Sequence, residues 1–528
     1  MSERPRSAWS PKLGEFGELG LPLVAATVCS ALGSGARPLA VAAWLAPLFF
    51  LRFLTLARGP LRLRFAVAGL LNSAAIAVAM RGMIPVPPAI YAGLSVTIGF
   101  ATLLPLLLHA LVRPRLPVGL ALLVLPVALV GSEHLMVQLQ PFGSWGAVAY
   151  SQAGVLPLVQ LGALFGLSGV PLLIGLFAAA VIEAWHLGRR ALLQRHGAPV
   201  RRGLALSIGL AVAAALVGQL RLQRAQAGQA EAPQVVVATV GSVLSEPLSE
   251  LQRPLYALDA AAALQAVRWS ELLAQAERVR ADLLLRTRSA ARQGAAIVVW
   301  PETAAIVPAA DEARFLAEAG AVAREGRIYL AAALGTLLRS APGAVAADER
   351  LLDNQVVLLG PDGQVLARYR KTMPVPGAEA ALIRRGDQPP PIVATPYGRL
   401  ALLICFDLDF PRLVRGVAAA GAELLLVPAE DWRAIDPYHS HMAAFRAVEN
   451  GLSLVRATRY GLSLAVDPYG RVRGAADYFE PARGELMASL PRAGVATPYT
   501  RLGDFIGWSC AALAALLWLW AARAILLK

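Results

Sequence analysis

Charge is scarce in this chain. Asp, Glu, Lys and Arg make up 16% of its 528 residues and hydrophobic residues 57%, with a mean hydropathy of +0.55. So few charges cannot solvate the surfaces of the roughly three soluble domains this length would allow, and the composition is that of a membrane protein. Acid is scarcer than base, 35 residues against 49, which leaves a formal net charge of +14. The excess arginines lie between apolar segments, without the clustered, aromatic-interleaved patches that grip nucleic acid, so no nucleic-acid partner is expected. Cysteine is nearly absent: Cys29, Cys405 and Cys510 are the three present, the first and last inside apolar stretches. A disulfide framework is thereby excluded, no CxxC pair or Cys/His cluster has zinc spacing, and neither metal nor cofactor is expected. Among the six histidines, His439 and His441 form a His-Ser-His pair that lacks a third ligand nearby and reads as a helix-end pair. No small-residue cleavage site follows the polar start, so the first apolar stretch reads as a retained anchor.

Long apolar runs are plentiful. They cover about 20–35, 38–56, 65–80, 89–112, 116–131, 152–185 and 203–220, with one more at 502–521. Most approach the ~20 residues a helix needs to cross the hydrocarbon core, the first, third and fifth being short. Lys and Arg collect in cytoplasmic loops. With Arg4, Arg6 and Lys12 inside, the other inside loops hold Arg58, Arg62 and Arg64, then Arg113 and Arg115, then Arg189, Arg190, Arg195, Arg201 and Arg202. The outside loops hold only Arg37, only Arg81, and no Lys or Arg between 132 and 151. This asymmetry predicts a transmembrane domain over 1–220 with about seven spans, a globular domain over 221–500 outside the cytoplasm, and a C-terminal transmembrane helix in 501–528 that returns Arg523 and Lys528 to the inside. Gly162 and Gly166 in the sixth run make a GxxxG helix-packing face.

The segment from 221 to 500 mixes periods. "QVVVATV", "AAIVVW", "IYLAAAL", "NQVVLLGPDGQVLARY", "LALLIC", "AELLLVPA" and "LSLVRATRYGLSLAVDPYGRV" read as strands, and GPDG and DPYG as hairpin turns. Residues 250–293, 311–325, 411–420 and 437–450 read as helices, which together give an α/β sandwich with helices covering sheets.

Three strands end on a reactive residue: "IVVWPET" on Glu302, "VLARYRKTMPVPGAE" on Lys371 and "LALLICFDLDFP" on Cys405. Strand ends and the loops after them are where scaffolds carry chemistry. Each residue alone has an ordinary reading: a solvated glutamate, a surface lysine, an inert buried thiol. Together they complement one another. A thiol of pKa about 8.5 needs a base or a nearby cation to become a nucleophile; a carboxylate can take and return its proton, and an ammonium can stabilise a thiolate and an oxyanion.

Glu302, Lys371 and Cys405 in this order, within "WPET", "RYRK" and "ICFDLDFP", resemble the nitrilase (carbon-nitrogen hydrolase) superfamily. Spans on both sides of such a domain are similar to its membrane branch, the apolipoprotein N-acyltransferases. "PFGSWGAVAYSQAG", "FGLSGVPLLIGL", "FRAVENGLSLVRATRYGLS" and "TPYTRLGDF" extend the resemblance over nearly the whole chain. It implies a polytopic helical region of about eight spans joined to an αββα sandwich, working as a monomer in a bacterial inner membrane with its catalytic domain in the periplasm. It also implies that Cys405 takes an acyl chain from a membrane phospholipid as a thioester and passes it to the α-amine of a diacylglyceryl-cysteine at the start of an apolipoprotein. Glu302 would serve as base and acid, and Lys371 with the Phe406 N–H would form the oxyanion site. Glu379 would orient the lysine or the substrate amine, with Asp407 and Trp432 in support.

The chain departs from the family pattern at Val375-Pro376-Gly377-Ala378-Glu379, which loses an aromatic residue, at Phe406-Asp407, where aspartate replaces glutamate, and in "PAEDW", where Glu430 replaces an asparagine before Asp431 and Trp432. These loops would shape the acceptor pocket, so a membrane-anchored amidase, or an acyltransferase with another amine acceptor, is the competing enzyme reading. A transporter or lipid-binding protein would need ionisable groups within its spans. Glu183, near the cytoplasmic end of the sixth, is the nearest candidate.

Overall fold

A computed structural model of the chain describes residues 13–194, 197–229, 232–256, 260–339, 350–480 and 485–526. Arg4, Arg6, Lys12, Arg195 and Lys528, used above for loop charge, lie outside them. The chain forms two compact units: Met1–Leu135, Leu167–Ala215 and Phe505–Lys528 in one, and Met136–Gly166 with Leu216–Asp504 in the other.

Among the described residues, six helices are long and apolar enough to cross a membrane: Leu61–Ala79, Pro88–Arg115, Val118–Leu139, Leu156–Gly188, Ala198–Gly228 and Phe505–Leu526. Gly20–Leu32 and Ala40–Leu56 are shorter apolar helices. Each predicted run contains helix, and the fifth outgrows its reading. Its helix continues through polar residues to Leu139, where His134 is absorbed edge-on against the Trp508 ring at 4.6 Å.

The sixth run is not the unbroken span expected. Leu156–Val159 and Gly162–Phe165 are single helical turns, and the long helix starts only at Gly169. Gly166 has φ +57, and a Cβ there would lie 2.3 Å from the Tyr499 ring; one on Gly162 would meet Phe445 and Glu449. The Gly-x-x-x-Gly is therefore a place of close approach inside the second unit, not a membrane helix-packing face. In the first unit Glu183 is fully buried and bound at both oxygens by Arg113, at 2.7 and 2.8 Å.

Among the described residues the second unit has thirteen strands: β1 (Gln234–Thr239), β2 (Ile297–Val299), β3 (Ala305–Pro308), β4 (Tyr329–Leu337), β5 (Leu352–Leu359), β6 (Val365–Arg370), β7 (Ile392–Thr395), β8 (Gly398–Leu402), β9 (Leu424–Glu430), β10 (Ser453–Arg459), β11 (Leu462–Val466), β12 (Val472–Asp477) and β13 (Leu486–Pro491). One sheet runs β13-β1-β2-β4-β5-β6 with β3 beside β4, and the other runs β12-β11-β10-β9-β8-β7. Each has a parallel centre, β1-β2-β4 and β8-β9-β10, flanked by antiparallel strands. GPDG closes the β5-β6 hairpin and DPYG the β11-β12 hairpin, as their turn residues predict.

Side-chain alternation makes the layers. Val237, Ile297, Val299, Ala331, Val356 and Leu358 point into a core shared with Leu400, Leu402, Leu424, Leu426 and Leu454 of the other sheet. Their neighbours Ala238, Val298, Leu330, Val357 and Leu359 face Leu272, Ala276, Val279 and Leu283 of the helix Trp269–Arg292, and Phe315, Ala319 and Ala323 of the helix Glu312–Gly326. On the second sheet Val414 and Val417 of the helix Pro411–Ala419, with Ala443 and Ala447 of the helix Tyr438–Asn450, close the outer face. Strands buried on both faces read as continuous apolar runs, so "IVV" and "LLLV" show no alternation in the sequence. The result is the four-layered αββα sandwich.

Candidate active site

In sheets with parallel centres, reactive groups gather where the chain leaves the carboxyl ends of the strands. Trp300 follows β2, fully buried, its indole N–H donating to Thr287 at 2.9 Å. With that anchor and Pro301, the chain turns and presents Glu302, and Thr303 takes φ +48. Lys371 is the first residue after β6; its N–H donates to the Asn354 carbonyl at 2.9 Å, and its own carbonyl accepts from Gly386 at 2.8 Å. Cys405 opens the short 3-10 turn Cys405–Asp409 with φ +45. A left-handed conformation costs a residue with a Cβ about 1 kcal/mol or more, and such strain concentrates at working sites.

The structure brings the three predicted residues into one buried cluster. Lys371 Nζ donates to Glu302 Oε1 at 2.8 Å and to Glu379 Oε1 at 2.7 Å. Glu302 Oε1 also accepts from Asn354 Nδ2 at 2.6 Å, while its Oε2 accepts the Glu430 N–H at 2.9 Å. The carbonyl of that same Glu430 accepts the Cys405 S–H at 3.6 Å. One residue of β9 therefore touches both the carboxylate and the thiol.

Electrostatics assigns resting charges. Burial alone would push the Lys371 ammonium towards neutrality, but Glu302 and Glu379 outweigh it and hold its pKa well above the ordinary value. Burial pushes the Cys405 thiol well up, Glu302 adds to that, and Lys371 opposes it. The thiol therefore rests protonated, and a base must remove its proton when a substrate arrives. Burial likewise raises Glu379 despite its lysine partner.

The supporting residues take distinct places. Phe406 is buried edge-on against Phe410, ring centres 5.4 Å apart. Asp407 is fully buried and turns inward: Oδ2 accepts from the Ile404 N–H and the Tyr369 hydroxyl, both at 2.9 Å, and Oδ1 accepts from the Met373 N–H at 2.9 Å and Thr372 at 3.2 Å. It laces the turn of Cys405 to the loop after Lys371. Trp432 sits half-buried in the loop after β9.

Burial raises the Asp407 pKa from 3.8 to about 6. The folded state then holds a proton that the unfolded state has lost, so this group makes stability fall as pH rises from about 4 to about 6. Asp407→Asn should remove that slope. It should also lower stability at pH 7 by about 2 kcal/mol, because an amide cannot accept from four donors at once. Thermal unfolding across pH 4–8 checks both.

The carbon-nitrogen hydrolase pattern matches residues 249–496. The apolipoprotein N-acyltransferase of Geobacter metallireducens is 29% identical over 475 residues, covering 85% of this chain and 84% of the relative. Residues 249–496 are similar to the carbon-nitrogen hydrolase family. The apolipoprotein N-acyltransferase of Bradyrhizobium diazoefficiens is 28% identical over 404 residues, 71% of this chain and 68% of the relative. That of a Pseudomonas aeruginosa strain is 31% identical over 278 residues, and the aligned part spans about half of each chain, 48% and 51%. Among solved structures, an amidase from a Nesterenkonia species is 25% identical and covers 51% of this chain and 92% of its own, with a TM-score of 0.37.

Within residues 249–496, sequence reasoning missed several groups. Asn354 binds Glu302 and, at 3.2 Å, Glu379; its signal was an Asn-Gln pair opening an otherwise apolar strand. Glu430, singled out as a departure, points its carboxylate at Arg459, 2.5 Å away. His439, read as a plain helix-end residue, does begin a helix, Tyr438–Asn450, but is buried in an ion network. Its Nδ1 lies 2.7 Å from Asp431 Oδ1 and its Nε2 3.0 Å from Asp409 Oδ1. Arg456 holds both oxygens of Asp431, at 2.8 and 2.9 Å. Burial works against the imidazolium, yet Asp409 and Asp431 raise its pKa to about 9. Burial would raise Asp431, but Arg456 and His439 hold it well below the carboxylate range.

Proposed function

We propose that the chain is a phospholipid:apolipoprotein N-acyltransferase. It takes a fatty acyl chain from a membrane phospholipid onto Cys405 and delivers it to the α-amine of the diacylglyceryl-cysteine that begins an apolipoprotein. It acts as a monomer in the bacterial inner membrane, with the domain on the periplasmic side. The observation that carries this reading is the protonated thiol of Cys405 in a strained turn, tied through Glu430 to a carboxylate that a buried ammonium grips. The names of relatives along most of the chain and the apolar helices support it.

Glu302 Oε1 already accepts two hydrogen bonds and Oε2 one, so Oε2 has the lone pair free to take the thiol proton. Sγ then attacks the ester carbonyl. The oxyanion accepts from the third N–H of Lys371, its other two being used, and from the Phe406 N–H. The carbon–oxygen bond breaks, the leaving lysophospholipid oxygen takes the proton from Glu302, and a thioester remains. In the second half the amine attacks the thioester, Glu302 accepts a proton from the nitrogen, the carbon–sulfur bond breaks, and the proton returns to Sγ.

Purified protein in detergent, given a fluorescent phospholipid and a diacylated lipopeptide, should yield lysophospholipid and triacylated peptide in equal amounts. Without the peptide, a fatty-acyl mass should stay on the fragment containing Cys405. Release of free fatty acid, or of ammonia from amide substrates, with no triacylated peptide would replace this reading by that of an anchored hydrolase or amidase.

A further inference from the structure

A second set of charges, unused by the steps above, also reaches the thiol. Cys405 Sγ, a carboxylate oxygen of Asp431 and a ring nitrogen of His439 lie within 4.8 Å of one another. His439 bridges two carboxylates, Asp409 at Nε2 and Asp431 at Nδ1. An ionised carboxylate offers only lone pairs, so both ring nitrogens must carry hydrogen. Arg456 Nη2 lies 2.9 Å from Nδ1, but a guanidinium has nothing to accept with, and it donates to Asp431 Oδ1 at 2.8 Å. Two cations therefore share one carboxylate.

The charges facing this cluster come from several elements, and Asp409 also feels Arg446, which pairs with Glu449 on the helix of His439. The thiol feels Glu302, Lys371, Asp431 and Arg456 besides His439. The imidazole faces Asp409 from the Cys405 turn, Asp431 from the loop after β9 and Arg456 from β10, with the uncharged Trp145 ring packed against it at 5.8 Å. Asp409, Asp431, His439 and Arg456 sum to zero. Without the imidazolium the group would carry one net negative charge beside a sulfur that must become a thiolate.

We propose that His439 is a positioning residue for Cys405: it joins the cysteine turn to the loop after β9, and its charge balances Asp409 and Asp431 so that the thiolate can form beside them. The link is mechanical as well as electrostatic. Asp409 ends the turn that Cys405 opens, and Asp431 follows Glu430, whose carbonyl receives the S–H. This inference rests on the reading of Cys405 as the acyl carrier.

The test is alkylation of the purified full-length protein by iodoacetamide between pH 7 and 10. It is read by mass spectrometry on the Cys405 fragment, so that Cys29 and Cys510 do not contribute. An opposite charge within about 4–6 Å moves a pKa by one unit or more, so His439→Gln should slow alkylation at pH 8 about tenfold. Asp409→Asn, which leaves the group one positive charge, should speed it by a similar factor. The double variant Asp409→Asn/His439→Gln, again neutral, should return near the wild-type rate. A double variant that stays as slow as His439→Gln, or single variants that leave the rate unchanged, would overturn the proposal. Should His439→Gln fail to fold, the opposite response of Asp409→Asn and its reversal in the double variant still decide. If Cys405 of the wild type reacts at no pH in this range, the carrier reading itself fails; a normal titration without charge response removes only the role of His439.

Discussion

Cys405→Ala should abolish acyl transfer, lowering turnover by about four orders of magnitude or more, as loss of a covalent nucleophile does. The fold should survive. The side chain gives up one sulfur from a buried site, a cost of about 1 kcal/mol, and its S–H to Glu430 is a long, weak donor contact. The matching variant Cys405→Gly should be equally dead, yet it sheds the strain of a Cβ at φ +45 and should recover about 1 kcal/mol relative to alanine. Unfolding temperature and acyl-enzyme mass measured side by side separate the two effects. A variant that loses the thiol and still makes triacylated peptide would end the thioester mechanism.

Lys371→Met should lose both activity and stability. Removing the proposed oxyanion donor should cost about 10²–10³ in turnover. The structural cost comes from Glu302 and Glu379, whose carboxylates both lie on one ammonium that is 1% exposed. With the ammonium gone they are left buried and uncompensated, a loss of about 3–5 kcal/mol. The pH dependence has a definite sign. Burial already raises the Glu379 pKa, and Lys371 is what restrains it; without the lysine it rises further. The folded variant then holds a proton that the unfolded chain releases in the ordinary carboxylate range, so stability falls as pH rises through and beyond that range. The unfolding temperature of Lys371→Met should decline from pH 5 to pH 8 more steeply than that of the wild type, and Lys371→Met/Glu379→Gln should recover part of the loss. Equal slopes would mean the carboxylates are not held by this lysine.

The αββα sandwich and the three strand-end residues were legible because they obey local rules. Proline after "IVVW" and the charged loop after "VLARYR" mark exits from a sheet, and the apolar run before Cys405 marks a strand buried on both faces. The broken sixth helix was not legible, because Leu156–Val159 and Gly162–Phe165 are as apolar as a span, and only the left-handed Gly166 under Tyr499 shows that they fold back. β3, β7 and β13 escaped for another reason: β3 and β7 are four residues long, and β7 and β13 border their sheets with exposed positions among buried or half-buried ones. His439 was passed over because its partners lie on the cysteine turn, on the loop after β9 and on β10, and no spacing along the chain records that meeting. Glu430 hid in the same way, since its peptide does the holding while its side chain points to Arg459.

Glu302 leaves one sheet and Cys405 the other, and the Glu430 peptide is the rivet between them. The Glu302 N–H also reaches across to the Ala429 carbonyl, at 3.3 Å. The distance from the Glu302 carboxylate to sulfur is thus set by how the two sheets lie upon each other, a register kept by interleaved side chains such as Val299, Leu402 and Leu426. A slip of less than an ångström between these faces would leave every strand intact and still silence the chemistry. The apolar interior acts here as the instrument's calibration.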